Sequence, residues 1–161
     1  MRLRAPDKLT TESTEHTEDT ERKETVAEGE YVDEEMEPDV ELNRLTNAII
    51  GAAIDVHKAL GPGYSEGVYE QALAIAMRTR GIRFARQYSF SVTFQGEIVG
   101  KGRIDFVVED KVIVELKAIE AFAPIHTAQA ISYLRATKLP LAILINFNVK
   151  RLVEGIKRVA L

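Results

Sequence analysis

The stretch RIDFVVEDKVIVELKA, residues 103–118, decides the fold of this chain. It predicts two β-strands joined by a tight turn, because runs of β-branched and other apolar residues lie on both sides of a short polar segment. Yet the first strand carries a carboxylate, Asp105, and the second carries Glu115 and Lys117. Charged side chains stay out of sheet interiors unless they are paired or bind a metal. These three residues are therefore the first candidates for a functional site.

The length of the turn decides whether the two carboxylates meet. In an antiparallel pair, a two-residue turn would place Asp105 and Glu115 on opposite faces of the hairpin. A three-residue turn at 109–111 instead pairs Val108 with Val112. Asp105 then lies opposite Glu115, with Cβ atoms roughly 5 Å apart. We expect the three-residue turn, since only that register lets both carboxylates share one metal.

Two carboxylates this close repel each other, and a divalent cation removes the repulsion. Mg²⁺ prefers oxygen ligands and takes one or two carboxylates together with waters and substrate phosphates. Lys117 shares the face of Glu115 and can reach a water or a phosphate oxygen. This set of groups suits phosphodiester hydrolysis. Taken alone, the same residues also fit a surface hairpin with an exposed Glu–Lys pair.

The rest of the chain predicts an α/β sandwich around a mixed sheet. Apolar residues recur at helical spacing, and start and stop signals bound each helix. The predicted helices are 42–60, 66–81 and 125–138, and the predicted strands are 88–95, 97–109, 111–118 and 139–147. The last segment, 150–161, predicts a helical turn and a closing strand. The order is ααβββαβ, with that final strand added.

The composition excludes several classes of protein. The 161 residues suffice for one domain with some extra chain, and 45% of them are apolar. No apolar run is long enough to span a membrane, and the start of the chain lacks the apolar segment of a secretory signal. The sequence has no cysteine, which excludes disulfides, thiolate catalysis and cysteine zinc sites. A reducing cytoplasmic location is compatible with this and is the one we expect.

The charge divides the chain at about residue 40. Residues 1–40 hold 5 Lys/Arg against 14 Asp/Glu, whereas residues 41–161 hold 16 against 11. The first part has too few apolar side chains to offset its ordering entropy, so we predict a disordered acidic tail. A solubilising arm is the simpler interpretation, and an acidic mimic that screens the basic domain is the alternative. The second part is the predicted folded domain.

Several motifs in one order resemble a known family. GPGYSEGVYE, residues 61–70, holds Gly63, Glu66 and Tyr69 at the spacing GxxExxY. Together with the segments RIDFVV, VIVELKA, HTAQAISYL and LINF, it is similar to the GxxExxY proteins of the PD-(D/E)XK nuclease superfamily. The resemblance covers residues 43–161. Ile104 stands where the superfamily name expects proline.

The resemblance implies a role for each matching residue. Asp105 and Glu115 match the metal-binding acidic pair, and Lys117 matches the active-site lysine. Glu66 matches an acidic residue of the first helix that completes the metal site in many members. Gln129 matches a glutamine found beside the site. The cofactor so implied is Mg²⁺ or Mn²⁺.

The resemblance also implies a fold and a function. The fold is a restriction-endonuclease-like αβββαβ core, with a mixed central sheet flanked by helices. The function is metal-dependent hydrolysis of nucleic acid, DNA in preference to RNA, with no membrane partner. The alternative is a noncatalytic module that binds nucleic acid or protein on a nuclease fold, because a fold does not establish a reaction. The sequence leaves the oligomeric state open.

Two further features have more than one interpretation. Arginines 78, 80, 83 and 86 form a basic cluster that either contacts a phosphate backbone or is simply solvated. Tyr69 lies one helical turn beyond Glu66, where it either hydrogen-bonds a site carboxylate or packs in the core. Packing is the role we expect for it.

Overall fold

The helices and strands follow the predicted order. A computed structural model describes residues 40–161. The elements are helices α1 (residues 40–60) and α2 (Glu66–Thr79), strands β1 (Phe84–Phe94), β2 (Glu97–Val108) and β3 (Val112–Lys117), helix α3 (Pro124–Thr137), strand β4 (Leu141–Asn146), a 3₁₀ helix (Leu152–Gly155) and strand β5 (Ile156–Val159). Strand β1 begins earlier than expected. The predicted acidic tail lies, except for its last residue, outside the described residues and stays a prediction.

The five strands form one mixed sheet in the order β1-β2-β3-β4-β5. The pairs β1–β2, β2–β3 and β4–β5 are antiparallel, whereas β3 and β4 are parallel. A parallel pair needs a crossover, and α3 supplies it. The expected αβββαβ core with a mixed sheet is thus confirmed.

Helices cover the sheet on both faces. One face packs against α1 and α2, in a core that includes Ile49, Leu73 and Phe106. The other face packs against α3, through residues such as Leu134 and Leu144. All five side chains are at most 2% exposed. Full burial of each such side chain contributes about 1.5–3 kcal/mol.

The turn between β2 and β3 has the predicted three residues. Val108 pairs with Val112 and Phe106 pairs with Val114, as the expected register requires. Glu109 and Asp110 have φ values of 51° and 56°, in the left-handed region. Asp tolerates this region better than most residues. The arrangement predicted for Asp105 and Glu115 therefore has the correct register.

The β1–β2 hairpin extends beyond its neighbour β3. Backbone pairing of β1 with β2 runs from Phe84 to Phe94, whereas β2 meets β3 only near the turn. The far half of the hairpin lies across α3, where the rings of Phe90 and Tyr133 are 4.9 Å apart. Gly102 makes this contact feasible, because a Cβ there would overlap the ring of Phe90.

Candidate active site

The candidate site lies where β2 and β3 separate. Beyond Phe106 and Val114, the two strands no longer pair through their backbones alone. The Asp105 amide donates to Glu115 Oε1 at 3.0 Å. The Leu116 amide donates to Asp105 Oδ2 at 2.8 Å. Each carboxylate thus satisfies a backbone donor of the other strand, and the two side chains lie together at the opening.

Burial makes both carboxylates hold their protons more tightly than usual. The pKa of Glu115, which is 6% exposed, is raised to about 7, first by burial and then by the charge of Asp105. The pKa of Asp105 is also raised, first by burial and next by the charges of Glu70 and Glu66. The charge of Lys117 lowers both pKa values but does not overcome these causes. The pair lacks a positive charge that would fully balance it.

The oxygen atoms of this pair suit a divalent cation. Among the described residues, none donates a hydrogen bond to the second oxygen of Asp105 or of Glu115. Mg²⁺ binds oxygen ligands and accepts one or two carboxylates with waters in the remaining positions. Within residues 40–161, no three His, Cys, Asp or Glu side chains form a group that could hold a metal. Asp105 and Glu115 are therefore the two carboxylates that the structure brings together here.

Lys117 is the last residue of β3 and lies on the same face as Glu115. Among the described residues, its amine forms no salt bridge. The loop after it is fixed by Asn146, which is 1% exposed. Asn146 accepts a hydrogen bond from the Ile119 amide at 3.1 Å and donates one to the Ile119 carbonyl at 2.9 Å. The Phe147 amide donates to the Lys117 carbonyl at 2.9 Å. The lysine backbone is thus tied to β4.

Glu66 lies in the first turn of α2 and is exposed. Its charge raises the pKa of both Asp105 and Glu115, so the helix end faces the pair. No hydrogen bond joins Glu66 to either carboxylate in the described part of the chain, and the three do not form a metal-holding group. Its metal-binding role stays a prediction.

Sequence reasoning missed Glu70, one helical turn after Glu66. The side chain of Glu70 is 16% exposed, and its charge raises the pKa of Asp105 more than that of Glu66 does. Its Oε1 accepts hydrogen bonds from Gln87 Nε2 at 2.7 Å and from Arg86 Nε at 3.4 Å. The i,i+4 spacing from Glu66 was the available signal, since it places both carboxylates on one helix face.

Gln129 and Tyr133 approach the site from α3. The pKa of the Tyr133 hydroxyl is raised, first by burial and then by the charges of Glu115 and Asp105. A side-chain hydrogen bond with Gln129 partly opposes this rise. Gln129 therefore lies next to Tyr133, whose pKa is raised by the charges of both carboxylates.

Tyr69 packs in the core, as expected, and also fixes the loop before α2. Its ring is fully buried and stacks on Phe147 with centroids 4.5 Å apart. Its hydroxyl donates to the Gly61 carbonyl at 2.6 Å and accepts from the Tyr64 amide at 3.2 Å. Gly63 has a φ of 111°, which favours glycine. Each residue of the GxxExxY motif thus has its own structural use. Gly63 allows the loop conformation, Glu66 places a carboxylate facing the site, and Tyr69 is a buried anchor.

The arginine cluster is largely neutralised within the chain. Arg80 pairs with Asp55 at 2.8 Å, Arg83 with Glu109 at 2.8 Å and Arg86 with Glu70 at 3.4 Å, whereas Arg78 is exposed in the last turn of α2. Three of the four guanidinium groups therefore have internal partners. Neither interpretation of the cluster included these ion pairs, and contact with a phosphate backbone stays a prediction.

The fold and the carboxylate–lysine set define a class of protein. A five-stranded mixed sheet flanked by helices, with Asp105 and Glu115-x-Lys117 on adjacent strands, is the restriction-endonuclease-like arrangement. The family model of the PD-(D/E)XK nuclease superfamily matches residues 43–159. The chain belongs to that superfamily. Its members generally use divalent metals and act on nucleic acid.

One solved structure is also similar to this chain. The crystal structure of SSO0001 is similar, with a TM-score of 0.47 and 16% sequence identity over 58% of this chain. The match spans 48% of that protein, about half its length. A comparison with curated proteins gave no match. Among residues 40–161, no helix has the length and apolar character needed to cross a membrane.

Proposed function

We propose that this protein is a nuclease that hydrolyses phosphodiester bonds with the help of Mg²⁺ or Mn²⁺. The observation that carries the proposal is the joint position of Asp105 and Glu115, each bound to the backbone of the other strand, with Lys117 on the face of Glu115. Two buried carboxylates with raised pKa values destabilise the folded state unless a cation or a proton accompanies them. Binding alone would not require the lysine.

Each residue has a distinct part in this proposal. Asp105 and Glu115 would hold the cation, and Glu66 of α2 would be a third oxygen ligand. A cation held by these carboxylates would supply Lewis-acid chemistry, polarising the phosphate and lowering the pKa of a water molecule. Lys117 positions that water or stabilises the charge that develops on the phosphate. Gln129 contacts the substrate or the water from α3.

We propose DNA as the substrate in preference to RNA, and membership of the GxxExxY group within the superfamily. The position of Gly63, Glu66 and Tyr69 supports the second proposal, because each residue of the motif has a separate structural use. The excess of basic residues in 41–161 supports a polyanionic partner. We place the protein in the cytoplasm, for which the cysteine-free sequence is the support.

The test is a cleavage assay on single- and double-stranded DNA and RNA, with Mg²⁺, with Mn²⁺ and with a chelator. Wild-type protein should cleave DNA only with metal, and Lys117→Ala should abolish the cleavage. Lys157→Ala is a matched control, because that lysine lies in β5, the far edge strand of the sheet. If wild type neither cleaves any polymer nor binds metal at millimolar concentration, the noncatalytic binding module replaces the enzyme.

A further inference from the structure

Strand β1 is an edge of the sheet, and its sequence lacks the residues that protect such an edge. Among residues 40–161, β1 pairs only with β2. Its last eight residues, QYSFSVTF (87–94), hold no charged side chain, no proline and no glycine. Proteins protect edge strands with charges, proline or a covering segment, because the outward backbone groups can pair with another chain. A long uncharged edge of this kind therefore indicates a partner.

The same strand has one apolar face and one hydroxylated face. Side chains alternate along a strand, so every second residue shares a face. The first face carries Tyr88, Phe90, Val92 and Phe94, and the second carries Ser89, Ser91 and Thr93. Helix α3 reaches the apolar face at Phe90, whose ring lies 4.9 Å from that of Tyr133. Farther along the strand, Phe94 is 64% exposed.

The apolar surface near the hairpin tip is large enough for a small interface. The large apolar residues exposed there are Tyr88, Val92 and Phe94 of β1 and Ile98 and Val99 of β2. Their exposed parts amount to roughly 500 Å². A specific interface buries at least about 1,000 Å² in total, counted over both partners. Two such patches reach this lower limit, which predicts a reversible complex.

The order of residues in β1 suits antiparallel pairing with a second copy of the same strand. If a two-fold axis passes at Ser91, each residue of one copy lies opposite a residue of its own kind in the other. The opposed pairs are Tyr88 with Phe94, Phe90 with Val92, Ser89 with Thr93, and Ser91 with Ser91. Aromatic pairs, aromatic–β-branched pairs and hydroxyl pairs are the ones that stabilise adjacent strands. The edge is thus self-complementary.

Two other occupants fit this edge less well. Binding of nucleic acid needs positive charge, and residues 87–94 carry none. The segment 1–39 has no uncharged run longer than three residues. If it occupied the edge, charged side chains would lie beside the apolar face of β1, at a cost in desolvation. A second copy of this chain brings no such charge.

We propose that β1 is a self-association surface, through which two copies of this chain pair in antiparallel fashion about a two-fold axis at Ser91. Each copy contributes five strands, so the two sheets join into one sheet of ten. The apolar face of each hairpin then continues into that of the other copy. Asp105, Glu115 and Lys117 take no part in this contact, which is therefore independent of the proposed function.

Opposite charges introduced at the axis test the arrangement. Ser91 is exposed and lies opposite itself in the dimer, so Ser91→Lys or Ser91→Glu places like charges face to face. Each variant alone should dimerise about tenfold or more weakly than wild type. An equal mixture of the two should restore the dimer, because opposite charges then meet at the axis. Ser132→Lys is the matched control, since it adds the same charge at an exposed position of α3, outside β1.

The measurement is sedimentation equilibrium of the full chain from about 1 to 100 μM, the range in which a small interface associates. Wild type and Ser132→Lys should pass from monomer to dimer over this range. Hydrogen exchange of the amides of residues 88–94 should slow as the wild-type concentration rises, which tests β1 without any substitution. Melting temperatures in dilute solution should be equal for wild type and the Ser91 variants, so that a lost dimer is not a lost fold.

Three results would overturn the inference. A wild-type protein that stays monomeric at about 100 μM does not use β1 for self-association. A wild-type dimer that Ser91→Lys leaves intact, or whose β1 amides exchange as fast as in the monomer, forms through another surface. If the two Ser91 variants are folded but their mixture stays monomeric, the axis does not pass at Ser91.

Discussion

Asp105 and Glu115 are each hydrogen-bonded to the backbone of the other's strand, at 2.8 and 3.0 Å. The exchange replaces ladder hydrogen bonds between β2 and β3 with bonds to side chains. It keeps the carboxylates in place without a cation, but it does not neutralise them. The free energy of unfolding should therefore depend on whether a proton or a cation is bound to the pair.

The metal-free protein should lose stability as the pH rises from 5 to 8. The pKa of Glu115 is about 7 in the folded protein, above its usual value of 4.5. The folded state therefore binds this proton more tightly, and the resulting stabilisation is complete below about pH 4.5 and is lost as the pH passes 7. At about 1.4 kcal/mol per pKa unit, the loss is on the order of 3 kcal/mol. Urea denaturation with a chelator measures it, and Glu115→Gln should remove most of the pH dependence.

Magnesium should stabilise the protein more at pH 8 than at pH 5.5. Protons and the cation compete for the same oxygens of Asp105 and Glu115, so the ion binds best when both are ionised. Millimolar Mg²⁺ should raise the melting temperature by mass action, and Asp105→Asn should abolish the rise. Equal stabilisation at both pH values would place the bound ion elsewhere.

Lys117→Ala should separate binding from turnover. The amine lowers the pKa of both carboxylates, so its removal takes away a competing positive charge and should leave Mn²⁺ affinity intact or slightly higher. Cleavage should nevertheless fall at least 100-fold, because charge stabilisation in the transition state is lost. Calorimetry and cleavage rates on one preparation give both values. A parallel loss of affinity and rate would mean that Lys117 only maintains the structure of the site.

Gly102→Ala should destabilise the protein, whereas Gly100→Ala should not. An added Cβ at Gly102 would overlap the ring of Phe90, but at Gly100 it would meet nothing within 4 Å. Both glycines lie in β2, so their effects on strand propensity should be similar. Overpacking costs about 1–3 kcal/mol, and chemical denaturation detects that difference. Equal stability of the two variants would show that Phe90 moves aside freely.

Tyr69→Phe should cost about 1–2 kcal/mol while the fold is retained. The substitution keeps the stack on Phe147 but leaves the partly buried Gly61 carbonyl without the hydroxyl that donates to it. Because this bond closes the loop before Glu66, hydrogen exchange of the Tyr64 amide should also speed up. Unchanged exchange would mean that the glycines alone fix the loop.

The hairpin register could be predicted from the sequence, because one physical requirement, a shared metal, selected among few turn lengths. The partners of the arginines could not. Asp55, Glu109 and Glu70 lie 25, 26 and 16 residues from the arginines they contact, and no local pattern pairs them. Glu70 and Gln87 were missed for a related reason. In a regular strand the side chains of Arg86 and Gln87 would point to opposite faces of the sheet. Nothing in the neighbouring sequence predicts the left-handed backbone of Gln87, which changes this alternation.

Asn146 ties the two ends of the α3 crossover together at Ile119. The chain from Ile119 to Asn146 is consequently a closed loop. Its anchor, Ile119, follows Lys117 by two residues in the sequence. Changes of length within the exposed residues 120–121 should be absorbed inside that loop. Helix α3, with Gln129 and Tyr133, could then be exchanged or repositioned in related chains without displacing the lysine. The tie separates the part of the proposed site that lies on α3 from the part that lies on β2 and β3.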